Sequence, residues 1–321
     1  MKLLYISSGY GGIYQTFDQW IEDHFIDSPY FSFLRIERDS LHCHMHKIRT
    51  FSPDFVFMMI GDHVPRDVLH PFKQEKIPVV LWMTEDPFYS DVSATCIHDA
   101  HIILTIDEAA LPFYKQLGAH HAHYVPIPTN TRVFHQKEPE LDTFAYDITL
   151  IGYPYPNRIK AIDTLLNERK WRMLVSGKEW HRYLNKSRRS HPNLTLSTNW
   201  LTPAQMVDIY HQSAIVLNPH RPFQFAYNRN KAKIQNMSLN NRAFDIAASG
   251  SFQLTDLKPP DAFSSIVYYT HEDALMEQVE YYVSNEEKRK EISLQNYRQV
   301  VLWNTFDTLP YRLYEIVKSA L

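Results

Sequence analysis

Short apolar runs alternate with amphipathic segments along the first half of the chain. The runs are as long as strands, and in most intervals between them apolar residues recur at the three- and four-residue spacing of a helix. The predicted strands lie at residues 3–6, 31–36, 55–60, 79–83, 102–106 and 123–127, and the predicted helices at 14–25, 40–51, 66–76 and 108–117. This alternation predicts a parallel sheet covered by helices on both faces.

The same alternation begins again near residue 145. A segment of mixed charge at 129–146, which contains Pro139, is predicted to be a linker. After it the pattern predicts strands at 147–151, 172–175, 194–196, 214–217, 251–254 and 266–269, and helices at 158–167, 203–212, 272–283, 286–300 and 306–320. The sequence therefore predicts an α/β protein with two doubly wound domains, at 1–135 and 145–302.

Composition and charge narrow the class of protein. The 321 residues, of which 44% are hydrophobic and 21% charged, suffice for two globular domains. The net charge of -3 gives no support for nucleic-acid binding, and no stretch approaches the roughly 20 apolar residues of a membrane span. The two cysteines, Cys43 and Cys96, suggest no disulfide framework, so a reducing, cytoplasmic location is predicted.

Ligands of doubly wound sheets bind beyond the carboxyl ends of the strands, so residues that follow strands are candidates for a site. In the first domain these candidates are Gly9, Gly11 and Gly12 of a glycine-rich turn, then Asp62, His63 and Asp86. The turn lacks the full G-x-G-x-x-G fingerprint, and no acidic residue downstream suits a ribose. A nicotinamide-dependent dehydrogenase is therefore disfavoured, and no P-loop sequence occurs.

In the second domain, the strand ends and helix starts carry several polar and cationic residues. They are Gly152, Arg158, Lys178, Trp200, Asn218, His220, Arg221, Asn241 and Arg242. Arg158, Arg221 and Arg242 stand where a diphosphate is best held, and together they predict phosphate binding. Three further cations, Arg229, Lys231 and Lys233, are predicted to be solvated surface residues.

The most informative stretch runs from Asn240 to Asp256. Asn240 or Asn241 is predicted to cap a helix that Gly250 closes in a left-handed conformation. Arg242 and Asp245 are three residues apart and share a face of this helix. The carboxylate of Asp245 is suited to accept hydrogen bonds from ribose hydroxyls.

Histidine is abundant, with 17 residues, but its pattern does not indicate a metal. Two clusters occur, at 42–46 and 120–123, and neither has the two histidines four apart with a helper glutamate that zinc hydrolases use. No metal or other cofactor is predicted. There is also no nucleophilic serine elbow, and neither cysteine has a catalytic context.

With these residues the chain resembles the CgeB family of spore-maturation, glycosyltransferase-like proteins of the GT-B type. The resemblance covers nearly the whole chain, and its most specific part is the stretch from Asn241 to Asp245. It also rests on Ile151-Gly152 followed by Arg158, on Leu217-Asn218-Pro219-His220-Arg221, on Gly250 and Thr255-Asp256, and on Leu81-Trp82, Glu85-Asp86-Pro87 and Val125-Pro126.

The resemblance implies two Rossmann-like domains facing across a cleft. It implies a nucleotide-sugar donor, a uridine diphosphate sugar, on the second domain, an acceptor on the first, and no obligatory metal. It further implies that a final helix, within 303–321, crosses back to complete the first domain. The acceptor would be a glycan or glycoprotein of the spore surface, and the location the mother-cell cytoplasm. Family members usually have glutamate where this chain has Asp245, and retaining enzymes have another at the position of Met237, so the stereochemistry stays open.

For transfer, Arg158, Arg221 and Arg242 would stabilise the departing diphosphate. Asp245 would hold the ribose, residues 199–201 or Lys178 would contact the base, and His220 would touch the phosphate or the sugar. The candidates for a general base are, in falling order, Asp86, Asp62 and His63.

Two alternatives remain open at this point. One is a non-catalytic binding or scaffold protein with a GT-B fold at the spore surface. The other is a nucleotide-sugar epimerase, which requires a pair of His or Glu side chains facing the sugar that the sequence does not place. The segment 227–239 is predicted to be a mobile loop near the donor.

Overall fold

The computed structural model describes residues 1–137 and 144–321. The chain forms two compact units. The first unit comprises Met1–Pro128, Ala226–Ser238 and Phe306–Leu321, and the second comprises Thr129–Phe225 and Leu239–Thr305. Of the predicted linker, residues 138–143, with Pro139, lie outside the described residues, and residues 129–137 belong to the second unit.

Six parallel strands form the sheet of the first unit. They are β1 (Lys2–Ile6), β2 (Ser32–Ile36), β3 (Phe55–Ile60), β4 (Val79–Met83), β5 (Ile102–Thr105) and β6 (Ala122–Tyr124). Their order across the sheet is β2-β1-β3-β4-β5-β6. Every residue of β3 and β4 is buried, as expected for strands of a parallel sheet that is covered on both faces.

The helices of this unit confirm the predicted alternation. Before residue 128 they are α1 (Ile13–Phe25), α2 (Met45–Phe51), α3 (Arg66–Gln74), α4 (Ser90–Ser93) and α5 (Leu111–Gln116). Short 3₁₀ helices accompany them at Arg38–His44, Ala94–Asp99 and Glu108–Ala110. The predicted helix at 40–51 is therefore half 3₁₀ and half α.

The second unit contains another parallel sheet of six strands. They are β7 (Tyr146–Ile151), β8 (Met173–Ser176), β9 (Leu194–Ser197), β10 (Ser213–Asn218), β11 (Gln253–Thr255) and β12 (Val267–Tyr268), in the order β12-β11-β10-β7-β8-β9. The helices are α6 (Pro156–Asn167), α7 (Trp180–Tyr183), α8 (Lys186–Arg189), α9 (Pro203–His211), α10 (Asn241–Ala248), α11 (Glu272–Ser284) and α12 (Glu286–Trp303). This is the strand order of the classical dinucleotide-binding fold, and the prediction of two doubly wound domains is confirmed.

Each sheet has one point where the direction of the strand order reverses. In the first unit this switch point lies between β1 and β3, and in the second between β7 and β10. Ligands of such sheets bind in the crevice beyond the carboxyl ends of the strands at the switch point. The loops that begin at Ser7 and Gly61 meet this criterion in the first unit, and those that begin at Gly152 and Pro219 meet it in the second.

The last helix, α13 (Leu309–Ala320), belongs to the first unit, as predicted. Phe306, just before it, is fully buried with its ring centroid 5.4 Å from that of Trp20. Arg312 donates a 2.6 Å hydrogen bond to the carbonyl of Tyr124 at the end of β6. Of the aromatic residues at the chain's end, Phe306 is buried and Tyr314 half-buried, whereas Trp303 is 73% and Tyr311 53% exposed.

The segment Ala226–Ser238 also lies with the first unit, whereas the sequence placed it in the second domain as a mobile loop. Backbone N–H groups of Met237 and Ser238 each donate to the carboxylate of Asp107 at 3.2 Å. Arg229 donates through its backbone N–H to the carbonyl of Phe88, and its own carbonyl accepts from the N–H of Asp91, both at 2.9 Å. These partners are distant in sequence, so local composition does not indicate them.

Helix α10 begins and ends as predicted. The side chain of Asn240 accepts from the N–H of Ala243, and Gly250 has φ 70°. The N–H of Gly250 donates to the carbonyl of Ala247 and that of Ser251 to Ile246, which together form a Schellman motif.

We expect Gly250→Ala to lower the free energy of unfolding by about 1–2 kcal/mol, because φ 70° is unfavourable for an L-residue. A β-carbon at Gly250 would also lie 2.7 Å from Cγ of Gln136. Urea denaturation measures this loss. Gly11→Ala is the control, since nothing lies within 4 Å of a β-carbon there; equal losses in both variants would contradict the role of the left-handed conformation.

None of the described helices has both the length and the apolar character required to cross a bilayer. Within residues 1–137 and 144–321, no three His, Cys, Asp or Glu side chains are placed to hold a metal ion. Both cysteines are free thiols.

Candidate functional site

Two helix N-termini lie beside the switch point of the second unit. Helix α6 begins with Pro156 directly after the β7 loop and carries Arg158 in its first turn. Helix α10 begins at Asn241, and Arg242 is its second residue. The first N–H groups of a helix lack intrahelical partners and attract anions, so both helices point to the same kind of ligand.

A network of side chains fixes the N-terminus of α10 to the end of β10. Asn218 and Asn240 exchange amide hydrogen bonds of 3.1 and 3.2 Å. The backbone N–H of Asn240 donates to Nε2 of His220 at 3.1 Å. Asn218 is 1% exposed and His220 5% exposed. Both were predicted to bind the donor, and the structure instead gives both a role in positioning α10.

The other ring nitrogen of His220 is also in use. Its Nδ1 lies 3.3 Å from Oδ1 of Asp256, which also accepts from the backbone N–H of His220 at 2.7 Å. Because Nε2 accepts a hydrogen bond, the proton resides on Nδ1. Burial raises the pKa of Asp256, but hydrogen bonds from His220 and Asn157 outweigh it and lower the pKa below its ordinary value. His220 has no ring nitrogen left for a phosphate or a sugar.

Two guanidinium groups meet at Gly152, the first residue after β7. A β-carbon at Gly152 would lie 2.5 Å from Nη1 of Arg158 and 3.0 Å from Nη1 of Arg242. Arg158 is 4% exposed and donates to the carbonyls of Pro219 at 2.8 Å and Tyr153 at 3.1 Å. Burial, followed by the charge of Arg242, lowers the pKa of Arg158 to about 10. The glycine leaves the space that this pair of cations occupies.

Arg242 has an unsatisfied donor. Its Nε is buried and has no hydrogen-bond partner among the described residues. A buried N–H without a partner costs about 1–3 kcal/mol, and two close guanidinium groups also repel each other. An anion bound beside the two guanidinium groups would offset their repulsion.

Asp245 is not at the surface where a ribose ligand was predicted. It is 5% exposed and lies close to Thr129 and Arg242 within the second unit. Burial raises the pKa of its carboxyl to about 7, although Thr129 and Arg242 lower it in part. Arg242 is half-buried, whereas Asp245, three residues further along the same face, is buried, a difference that the sequence pattern does not show.

Aromatic rings lie against three of the cations predicted to bind the donor, Arg158, Arg221 and Lys178. The guanidinium carbon of Arg158 lies 4.9 Å from the ring centroid of Tyr155, and that of Arg221 lies 5.7 Å from it. The ammonium of Lys178, after β8, lies 5.4 Å from the ring centroid of Trp200, which is 55% exposed. Tyr155 lies in the stretch after a strand, 152–158, that the sequence marks as a candidate, but no role was predicted for it. Asn241, predicted to bind the donor, is half-buried at the start of α10.

At the switch point of the first unit, Asp62 and His63 form a hydrogen-bonded pair. Nδ1 of His63 lies 2.9 Å from Oδ1 of Asp62, and the two side chains are 51% and 61% exposed. Nε2 of His63 lies 3.3 Å from Nη1 of Arg38. Since arginine only donates, Nε2 is the acceptor and Nδ1 carries the proton. An exposed imidazole oriented by a carboxylate is the arrangement of a general base.

Asp86 was the first choice for a general base, and its geometry does not suit that role. It is 2% exposed, and its carboxylate accepts hydrogen bonds from Ser93 at 2.9 Å, from Thr105 at 2.7 Å and from the hydroxyl of Tyr114. Burial raises its pKa to about 6, while these hydrogen bonds lower it in part. Asp86 joins three elements of the unit and does not face a substrate.

The glycine-rich turn holds a side chain of its own unit. A β-carbon at Gly9 would lie 2.6 Å from Cδ of Arg38, and Nη1 of Arg38 donates to the carbonyl of Ser8 at 3.2 Å. Gly11 has open space around it, and Gly12 precedes α1 as its N-cap. The turn therefore admits Arg38, which reaches His63.

Comparisons with known proteins give the family and the fold of the chain. A family model described as glycosyl transferase-like matches residues 158–308. The spore protein CgeB of Bacillus subtilis (strain 168) is 42% identical over 315 residues, covering 98% of each chain. A solved structure of trehalose-6-phosphate synthase superposes with a TM-score of 0.68 at 10% identity and covers 99% of both chains.

A second solved structure gives the same result. AviGT4, a glycosyltransferase involved in avilamycin A biosynthesis, superposes with a TM-score of 0.63 at 12% identity and covers 100% of this chain and 98% of its own. At this identity the likeness concerns the fold alone, which is the GT-B fold that the sequence predicted. With the long match to the curated relative, the chain belongs to the CgeB family of glycosyltransferase-like proteins.

Proposed function

We propose that this protein transfers a sugar from a nucleoside diphosphate sugar to a hydroxyl group of an acceptor. The observation that carries the proposal is the convergence of Arg158 and Arg242 at Gly152, beside the N-termini of α6 and α10. A diphosphate placed there would receive charge-assisted hydrogen bonds from Arg242 and from backbone N–H groups, while the buried guanidinium of Arg158 adds positive charge behind them.

In this proposal the arginines stabilise the charge that builds up on the departing diphosphate, a task that a divalent metal performs in other transferases. Arg221, held against the ring of Tyr155, adds a third positive charge. Trp200 and Lys178 offer an exposed ring and a cation at the ends of the neighbouring strands, which suit a nucleobase and its ribose. The uridine nucleotide is carried over from the family resemblance.

On the first unit we propose that His63 removes the proton from the acceptor hydroxyl, with Asp62 orienting its ring. A general base of this kind is what an inverting transfer requires. Because the curated relative is named a spore protein, we propose a spore-surface glycan or glycoprotein as acceptor and the mother-cell cytoplasm as the place of action.

The donor half of the proposal is tested by calorimetry and thermal shift with the diphosphates of uridine, guanosine, thymidine, adenosine and cytidine, each with and without Mg²⁺. We expect UDP to bind without Mg²⁺ and, at 100 times its Kd, to raise the free energy of unfolding by about 2.7 kcal/mol. Arg242→Ala should weaken UDP binding by roughly 10- to 100-fold, since it removes hydrogen bonds to a charged group.

Arg172→Ala is the matched control, because Arg172 pairs with Asp147 at the opposite end of the same sheet. It should leave the Kd for UDP unchanged. If no diphosphate changes the melting temperature, the proposal fails and the alternative of a non-catalytic scaffold gains support. Epimerisation of the donor sugar without acceptor would instead indicate an epimerase.

A further inference from the structure

Residues 226–238, which we call the basic strap, carry three cations and no carboxylate. The cations are Arg229, Lys231 and Lys233, and all three are exposed. The chain as a whole has a net charge of -3, whereas this segment carries three positive charges and no negative one. The strap lies on the first unit.

Backbone hydrogen bonds hold the basic strap in place, and as a result the side chain of Arg229 lies at the switch point of the first unit. Two backbone hydrogen bonds of 2.9 Å fix Arg229 between Phe88 and Asp91. Its guanidinium lies 5.9 Å from the ring centroid of Tyr89, and its Nη1 donates to the carbonyl of Asp62 at 3.4 Å. The side chain is therefore placed beside the proposed base.

Arg38 contacts the other member of the pair, His63. Its Nη1 lies 3.3 Å from Nε2 of His63, and the turn at Gly9 makes room for it. Two guanidinium groups thus contact the pair Asp62–His63. A side chain of the unit also holds the strap, since Oδ1 of Asp91 accepts from the backbone N–H of Lys231 at 3.1 Å. Arg38 and Arg229 therefore place two positive charges beside the Asp62–His63 pair, which carries one carboxylate.

We propose that the acceptor is an anionic sugar or glycan, whose phosphate, sulfate or carboxylate group is bound by Arg38 and Arg229. This inference rests on the proposed transferase function and adds the chemical class of the acceptor. Guanidinium groups bind such oxyanions through two parallel hydrogen bonds. An anion that binds Arg38 draws it away from Nε2 of His63 and leaves the lone pair of that nitrogen for the acceptor hydroxyl.

The test uses sugars in neutral and anionic pairs: mannose with mannose 6-phosphate, glucose with glucuronate, and galactose with galactose 6-sulfate. Binding to the whole protein is measured by calorimetry and saturation-transfer NMR. We expect one anionic member to bind at least tenfold more tightly than its neutral partner, with a preference that weakens as salt rises. The three pairs show which oxyanion is preferred.

Arg229→Gln and Arg38→Gln should each reduce that preference by about tenfold or abolish it, and Arg229→Lys should retain part of it. Arg49→Gln is the control, since Arg49 is an exposed arginine of the first unit that pairs with Glu75 at 2.8 Å. Equal binding of neutral and anionic members, no binding of any anionic member, or a preference that survives both glutamine variants would overturn the inference.

The outcome is separable from that of the donor screen. UDP binding that depends on Arg242, combined with no preference for anionic sugars, would keep the transferase and reject the anionic acceptor. An anion preference that depends on Arg229, without binding of any nucleoside diphosphate, would keep the anion site and reject the transferase.

Discussion

His63→Ala is expected to lower kcat by roughly 10²- to 10⁴-fold, the contribution of a positioned general base. The affinity for UDP should stay the same, because the donor is proposed to bind the second unit. The reason lies in the geometry: Nε2 is an acceptor on an exposed ring, and Nδ1 is held by Asp62 at 2.9 Å. Asp62→Asn keeps the shape but loses the carboxylate, and it should cause a smaller loss of kcat.

The measurement is the rate of UDP release from the donor found in the diphosphate screen, with the best acceptor of the sugar panel. Asp86→Asn separates the two candidates for the base. Since Asp86 is 2% exposed and bound by three hydroxyl groups, its substitution should change stability while kcat per folded molecule remains near that of the wild type. A wild-type kcat in His63→Ala, or a loss of kcat confined to Asp86→Asn, would contradict this assignment.

The elements of the fold were predictable wherever burial imposes a period on the sequence. The all-apolar run of β4 and the amphipathic α1 are examples, because one is covered on both faces and the other on one. Helices α4, α7 and α8, with four residues each, were not predicted. One turn of helix is too short to show a period, and such turns depend on their tertiary surroundings.

The site was predictable in position but not in the role of each residue. The rule for strand ends selects Asp62 and Asp86 equally, because both follow strands of one sheet. What separates them is that Ser93, Thr105 and Tyr114 converge on Asp86 from separate elements. The same limit applies to His220, whose partners come from other loops. The attachment of the basic strap depends on carboxylates more than a hundred positions away.

Asp245→Asn is expected to increase the free energy of unfolding at pH 8, by up to roughly 4 kcal/mol at about 1.4 kcal/mol per pKa unit. Burial raises the pKa of this carboxyl from 3.8 to about 7 in the folded protein. Below pH 3.8 both states are protonated. Between pH 3.8 and about 7 the folded state holds a proton that the unfolded state has lost, so stability falls as pH rises. Above pH 7 the carboxyl is ionised in both states, so the loss of folding free energy stays constant. Asparagine cannot ionise and resembles the protonated carboxyl, so the variant does not undergo this loss.

Urea denaturation of both proteins from pH 4 to pH 8 measures this difference. The two curves should nearly coincide at pH 4 and separate as the pH approaches 7, where the variant is the more stable protein. Asp86 and Asp107, whose pKa values burial raises to about 6, leave a pH dependence of stability below pH 6 in both proteins.

The Asp245→Asn variant also tests the predicted ribose contact. Because Asp245 is buried, the Kd for UDP should change by less than about threefold, which is below 1 kcal/mol. A large loss of UDP affinity without a gain in stability would show instead that the carboxylate turns outward to hold the ribose.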